Sequence, residues 1–397
     1  MIIDNILLVF NYLFAAAMPV THIGGYLVSI LSVAFIWRYW GKLYDEPVFS
    51  WLLLFVVYGM LLVPISGDPK SALGTMAGYL THWLCPFILG YAVFDPAKAR
   101  RALWIYFIFF SAVLTLSLLA YFGLFAQVVH GNFFLVEDRL LKAGRSHIAL
   151  GALCVFISFF MTGISVYSKE AGIKRLVPLI GAAVYVFALV LSGSRSYYIA
   201  GFLVYVSFAV LWAVKNGMAK YLLIGVLVLA AAGGVIYRYN PAVKYRITRT
   251  GPSDDNVADR FYLYRIAFQE IKARPLFGFG PGQGIKQKQY FEALPSGKQG
   301  LDRHPALHSF YLNLAADFGL AGLIIFVIIM AHIFLRLAAV MSDKESQVNL
   351  LAFGLFWGLA GLLIGDCFDT LLRGPGVAME LFWAAGMIFR ISKKDEA

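Results

Sequence analysis

Arg260-Phe-Tyr-Leu-Tyr-Arg265, Arg274-Pro-Leu-Phe-Gly-Phe-Gly280 and His304-Pro-Ala-Leu-His308 lie in or at the edge of one polar run, residues 238–307, and the reading of that run decides the fold. Its 70 residues hold twelve Lys or Arg against six Asp or Glu. So many charges cannot stay in hydrocarbon without partners, so the run is a loop outside the membrane. Everything around it is apolar, so the loop is the exception that the spans enclose.

Outward from the loop, hydrophobic residues make up 60% of the 397-residue sequence and charged residues 14%, with a mean hydropathy of +0.75. That balance excludes a set of soluble domains. About 20 mostly apolar residues are needed to cross the hydrocarbon core. Twelve segments meet that measure, at roughly 5–20, 23–40, 48–66, 73–94, 102–125, 147–167, 175–192, 196–214, 220–237, 306–335, 348–365 and 376–391. The expected fold is an all-α polytopic membrane protein. Residues 1–237 form transmembrane helices 1–9, residues 238–307 a long periplasmic loop with a surface helix, and residues 308–397 helices 10–12. Residues 5–20 lack a basic region followed by a small-residue cleavage site, which reads as a first membrane anchor.

A net charge of +11 would point to nucleic acid in a soluble chain. Here the basic residues fall in the breaks between apolar segments, where they set topology and meet phosphate or lipid headgroups, so no nucleic-acid partner is expected. With the N-terminus inside, the even breaks and the C-terminus carry fifteen Lys or Arg, while the opposite short breaks carry six: Lys70, Arg139, Lys142, Arg145, Arg195 and Arg373. The excess of basic residues marks the inner side, and long loops are exempt, so the 238–307 loop faces the periplasm or cell exterior. Cys85, Cys154 and Cys367 form neither a disulfide framework nor a zinc site.

Within the loop, Asp255 or Asn256 can cap a helix through Lys272 on which Phe261, Tyr264, Phe268 and Ile271 recur at helical spacing, as in a helix lying on a membrane surface. Arg260 and Arg265, five residues apart, fall about 140° apart around its axis. Arg274-Pro275 stops it, and four glycines follow by Gly284, which suits either an anion nest of bare N–H groups or a plain turn. Pro305 fits a helical first turn, which would place His308 near a positive helix end among basic neighbours and so hold its imidazole neutral. A neutral imidazole is the form a general base needs; the plainer alternative is a histidine that only ties down the loop. His304 could share its face, although no third ligand at metal spacing is evident beyond Asp302, and no metal or cofactor is expected. Arg195, in Leu191-Ser-Gly-Ser-Arg-Ser-Tyr-Tyr198, sits close to hydrocarbon at the outer end of a span, where it binds an anion, snorkels, or pairs with Asp366 or Asp369. Without a carboxylate cage for magnesium, a diphosphate would be held by guanidinium forks and backbone N–H groups.

Together with His308-Ser-Phe-Tyr-Leu312, Asp317-Phe-Gly-Leu-Ala-Gly322 and Ser194-Arg195-Ser196, these segments resemble the O-antigen ligase and polymerase superfamily. Where that family has His-Asn, Trp and Glu-x-Gly, this chain has His308-Ser309, Tyr264 and Asp317-Phe-Gly319. The resemblance implies a metal-independent, inverting glycosyltransferase of GT-C-like fold in a bacterial inner membrane, its active site facing the periplasm. It implies a donor glycan on undecaprenyl diphosphate and, for a ligase, an acceptor hydroxyl on the lipid A core. His308 would take the acceptor proton while Arg195 and Arg265 hold the diphosphate, with Arg260 and Arg303 in support. An O-antigen polymerase, or a protein O-oligosaccharyltransferase, would use the same donor with another acceptor. A membrane transporter is the reading from another class, and the scarcity of mid-span charge counts against it.

Overall fold

The computed structural model describes residues 2–93, 95–122, 124, 135–136, 139–140, 146–167, 172–217, 255–295, 298, 301, 306–343 and 348–392, with isolated positions between 231 and 248. The helices that matter are α1 (Ile2–Ala17), α2 (His22–Val33), α3 (Pro47–Leu62), α4 (Pro69–Tyr79), α5 (Cys85–Tyr91), α6 (Pro96–Tyr121), α7 (His147–Tyr167), α8 (Ile173–Ser192), α9 (Arg195–Lys215), α10 (Asp255–Ala273), α11 (Phe310–Ser342), α12 (Asn349–Gly365) and α13 (Val377–Ser392). A π segment, Leu80–Leu84, joins α4 to α5. The only strands among the described residues form a two-residue antiparallel ladder, Leu135–Val136 with Arg139–Leu140.

Six described helices are long and apolar enough to cross a membrane: Pro47–Ile65, Pro96–Tyr121, His147–Tyr167, Ile173–Ser192, Arg195–Lys215 and Phe310–Ser342. Ile2–Ala17, His22–Val33 and Asn349–Gly365 are shorter apolar helices. The chain is thus a multi-pass membrane protein, and the expected span 220–237 lies almost wholly outside the described residues. Boundaries follow local signals. Asp68 and Asp95 each precede a Pro at N1 and accept from backbone N–H groups, Asp68 from Ser71 at 3.0 Å and Asp95 from Ala97 at 2.8 Å. Gly193, at φ 68, ends α8 in a left-handed turn, and α9 begins two residues later with Arg195 at its first position.

The main core lies between the spans and is rich in aromatics. Trp83 stacks between Phe55 at 5.0 Å and Phe382 at 5.2 Å, and its indole N–H donates to the Leu372 carbonyl at 2.8 Å. A second, smaller core lies under α10: Leu263, Ile266 and Ala267 pack with Ile285, Phe291, Leu294 and Leu307. Phe261 and Phe268 are 64% and 63% exposed, because the neighbouring stripe of smaller side chains fits the satellite core and turns those rings outward.

The loop is stitched into a break in α11. Gly319 sits at φ 68 and ψ −175 inside that helix, so the carbonyls before it and the N–H groups after it lose their helical partners. Residues 275–280 supply replacements. Phe279 and Gly280 donate to the Ala316 and Asp317 carbonyls at 2.9 and 2.8 Å, while the Pro275 and Leu276 carbonyls accept from Leu320 at 2.7 Å and Ala321 at 3.3 Å. A Cβ on Gly319 would stand 2.2 Å from the Leu276 carbonyl oxygen, and one on Gly278 2.6 Å from that of Ala316, so both positions demand glycine. Beyond the break, residues 320–342 rise about 1.5 Å each and suffice to cross a hydrocarbon core of about 30 Å.

Candidate functional site

His308 does not lie in the first helical turn expected from Pro305. Ser309 caps α11, accepting from the Leu312 N–H at 3.5 Å, and the helix starts at Phe310. His308 stands one residue outside, at φ 53, the only non-glycine with a positive φ among the described residues. The reason is local: the chain must turn through His308 so that its neighbours on both sides can reach Asn313. Asn313 is buried, its Oδ1 accepts from the Leu307 N–H at 3.2 Å, and its Nδ2 donates to the Ser309 carbonyl at 2.8 Å. The Tyr264 hydroxyl, from α10, donates to the His308 carbonyl at 3.1 Å and to that of Cys367 at 3.3 Å.

The segment between α12 and α13 closes the other side. The Phe310 N–H is shared by the Asp366 and Asp369 carbonyls at 2.9 and 2.8 Å, which ties the start of α11 to this segment. The Asp366 carboxylate is committed to structure: it accepts from Leu371 N–H at 3.0 Å, Leu372 N–H at 2.9 Å and the Tyr197 hydroxyl at 3.3 Å. Asp369 faces Arg260, Oδ1 to Nη2 at 3.8 Å, and also takes the Ser196 hydroxyl. Burial pushes its carboxyl up to about 6, with the Ser196 hydrogen bond and the Arg260 charge opposing that rise. Asp369 Oδ2 is buried without a partner among the described residues.

Backbone and ion-pair contacts thus link three of the expected residues, His308, Asp369 and Arg260. His308 and Asp369 join through Phe310, Arg260 joins through Asp369, and Arg195 stands next to Ser196, half-buried at the N-terminus of α9. Asp366 lies behind them as a brace. Arg265 is not brought against Asp369; it lies on the exposed side of α10, as its angular offset from Arg260 requires. Arg303 and His304 lie outside the described residues, as do Lys142, Arg145 and the side chain of Arg139. Among the described residues no group of three or more His, Cys, Asp or Glu could hold a metal ion.

Sequence reading passed over Asn313, Arg373 and Glu270. Arg373 counted only as a topological charge, yet its Nη1 approaches Asn313 Oδ1 at 3.5 Å and its carbonyl takes His82 Nδ1 at 3.0 Å. The one available signal for Asn313 was its place in the first turn after His308, where an amide can reach back to its own N-terminus.

The glycine-rich run is a nest, but its anion belongs to the chain. Asp317 Oδ1 accepts from the Gly284 N–H at 2.8 Å, and the Gly282 and Gln283 N–H groups also point at this carboxylate. Gly278, Gly280 and Gly282 all take positive φ to wrap it. Glu270 of α10 is fully buried beside Asp317, both carboxylates lying 3.2 Å from where a Gly284 side chain would begin. Burial first, and the Asp317 charge second, push Glu270 up to about 9, so it is a neutral acid at physiological pH.

Residues 180–327 match the family described as O-antigen ligase. That stretch carries Arg195, Arg260, Arg265, His308 and Asn313 and stops short of the Asp366–Arg373 segment. No curated protein matches the sequence.

Proposed function

We propose, from the match of residues 180–327 to the O-antigen ligase family, that this chain belongs to the O-antigen ligase and polymerase superfamily and is a lipopolysaccharide O-antigen ligase. It moves a polysaccharide from undecaprenyl diphosphate to a sugar hydroxyl of the lipid A core, with inversion and without a metal ion. The observation that supports the reading is the link from His308 through the Phe310 N–H to the Asp366–Asp369 segment, on which Arg260 and Ser196 also converge, beside the break at Gly319.

In the proposed reaction His308 accepts the proton of the acceptor hydroxyl as its oxygen bonds the donor's anomeric carbon. The bond from that carbon to the diphosphate breaks, and undecaprenyl diphosphate leaves with the electron pair. Arg195 and Arg260 face the developing negative charge, with Arg265 and Arg303 in the outer field and His304 and Asp369 in support. A guanidinium stays charged and binds phosphate oxygens in pairs, so the leaving group is neutralised without a divalent ion. Alignment of the two reactants by bracing residues such as Asp366 supplies the rest.

The test is complementation of a gene deletion with His308→Ala, read as lipopolysaccharide on a gel. Loss of the long-chain ladder attached to core is expected, and a restored ladder rejects His308 as the base. In the deletion strain, full-length glycan left on the prenyl carrier supports the ligase, whereas single repeat units would make the chain a polymerase.

A further inference from the structure

We infer that Asn313 is a positioning residue that holds His308 in its left-handed backbone conformation and thereby aims the imidazole at the acceptor hydroxyl; this rests on the reading of His308 as the base. A β-substituted residue at positive φ is disfavoured and persists only where its surroundings over-determine it. Here they do. Asn313 grips the residue before His308 through the Leu307 N–H at 3.2 Å and the residue after it through the Ser309 carbonyl at 2.8 Å. The Tyr264 hydroxyl fixes the carbonyl of His308 itself at 3.1 Å, and Phe310 is anchored to the Asp366 and Asp369 carbonyls.

One amide thus brackets the turn from both sides, using its acceptor and its donor at once. Asn313 is 2% exposed, so water does not offer those groups an alternative partner, and Arg373 holds the acceptor oxygen in place at 3.5 Å. An alanine would free the Leu307 N–H and leave the Ser309 carbonyl only its bond from the backbone N–H of residue 313 at 2.9 Å, loosening the turn so that φ at His308 can relax into an ordinary well. The ring would then swing away from its line of attack, although the arginines that hold the donor would be untouched. Asn313 acts through His308 and touches no reacting atom.

The experiment is steady-state transfer by the purified full chain with lipid-linked glycan and core acceptor. Asn313→Ala is expected to lower kcat roughly 10- to 100-fold, the scale of a misplaced catalytic group, with the donor KM within about twofold. Asn313→Asp has the same shape and keeps the acceptor, but donates to the Ser309 carbonyl only when protonated. Its rate relative to wild type should therefore rise as pH falls from about 7.5 to about 5.5, a response that a space-filling role would not produce. Tyr264→Phe should show the same fall in kcat alone, by about threefold, the scale of one hydrogen bond. A wild-type kcat for Asn313→Ala, a loss carried by KM, or a flat pH ratio for Asn313→Asp overturns the inference. If His308→Ala keeps full activity, the base reading fails instead, so the two failures are separable.

Discussion

Two polar clusters lie at the N-terminal end of α11, and they are built on opposite terms. In the first, half-exposed His308 and Arg260 stand beside the buried Asp369 and Asn313, and the Arg260–Asp369 pair is a loose 3.8 Å contact. Around Asp317 the partners are backbone N–H groups and the carboxylate is buried beyond exchange. The first can trade partners with a substrate; the second fixes where the first stands. Variants in the two clusters should accordingly fail in different ways.

The sharpest contrast is between Gly319 and His308. Gly319→Ala would set a Cβ 2.2 Å from the Leu276 carbonyl and force φ 68 on a substituted residue, and the loss should reach about 3 kcal/mol or more. Folded protein in detergent should nearly vanish. His308→Ala should melt as the wild type does while transfer is abolished. A Gly319→Ala protein of normal yield and melting temperature would show that the loop is not stitched through the break.

Much of the scaffold was legible because hydrocarbon imposes one length and one polarity on every span. The segment expected at 147–167 is helix His147–Tyr167, and Ser194-Arg195 stands where the sequence puts it, at the start of α9. The surface helix was legible in extent, but its buried face was not. Its aromatic stripe and its Leu263, Ile266, Ala267 and Glu270 stripe repeat with the same period, and only the satellite core decides which is inside. The nest was legible as glycines, but its anion, Asp317, is supplied from 33 residues downstream of Gly284. His308 was visible as a residue type, whereas its left-handed backbone was not, and the Tyr264 hydroxyl that holds its carbonyl comes from 44 residues upstream.

The Arg260–Asp369 pair tests whether the exchangeable cluster does exchange. Because Asp369 competes with a diphosphate for Arg260, Arg260→Ala should raise the donor KM roughly tenfold and Asp369→Asn should lower it roughly threefold, the scale of about 1 kcal/mol. Protonation of Asp369 has the same effect as the asparagine. The wild-type donor KM should therefore fall as pH drops through about 6, and that dependence should be absent in Asp369→Asn. Equal pH profiles for the two proteins would mean that the pair is a fixed strut like Asp366.

Glu270 gives the smallest effect and speaks for the buried cluster alone. Its carboxyl titrates at about 9 in the folded protein and near the ordinary 4.5 when unfolded, so the folded state holds the extra proton between those limits. The stabilisation is complete below the ordinary carboxylate range and is lost as pH rises through about 9. Glu270→Gln keeps the shape, carries no proton to lose, and sets an amide donor near Asp317 Oδ2, which is buried without a partner among the described residues. Wild-type melting temperature should fall between about pH 6 and pH 9 by more than that of the variant. Transfer at neutral pH should be unchanged in Glu270→Gln, because the acid is already neutral there and none of its atoms faces the His308 cluster. Parallel melting curves would place a partner or a water path beside Glu270 and make this cluster, too, open to exchange.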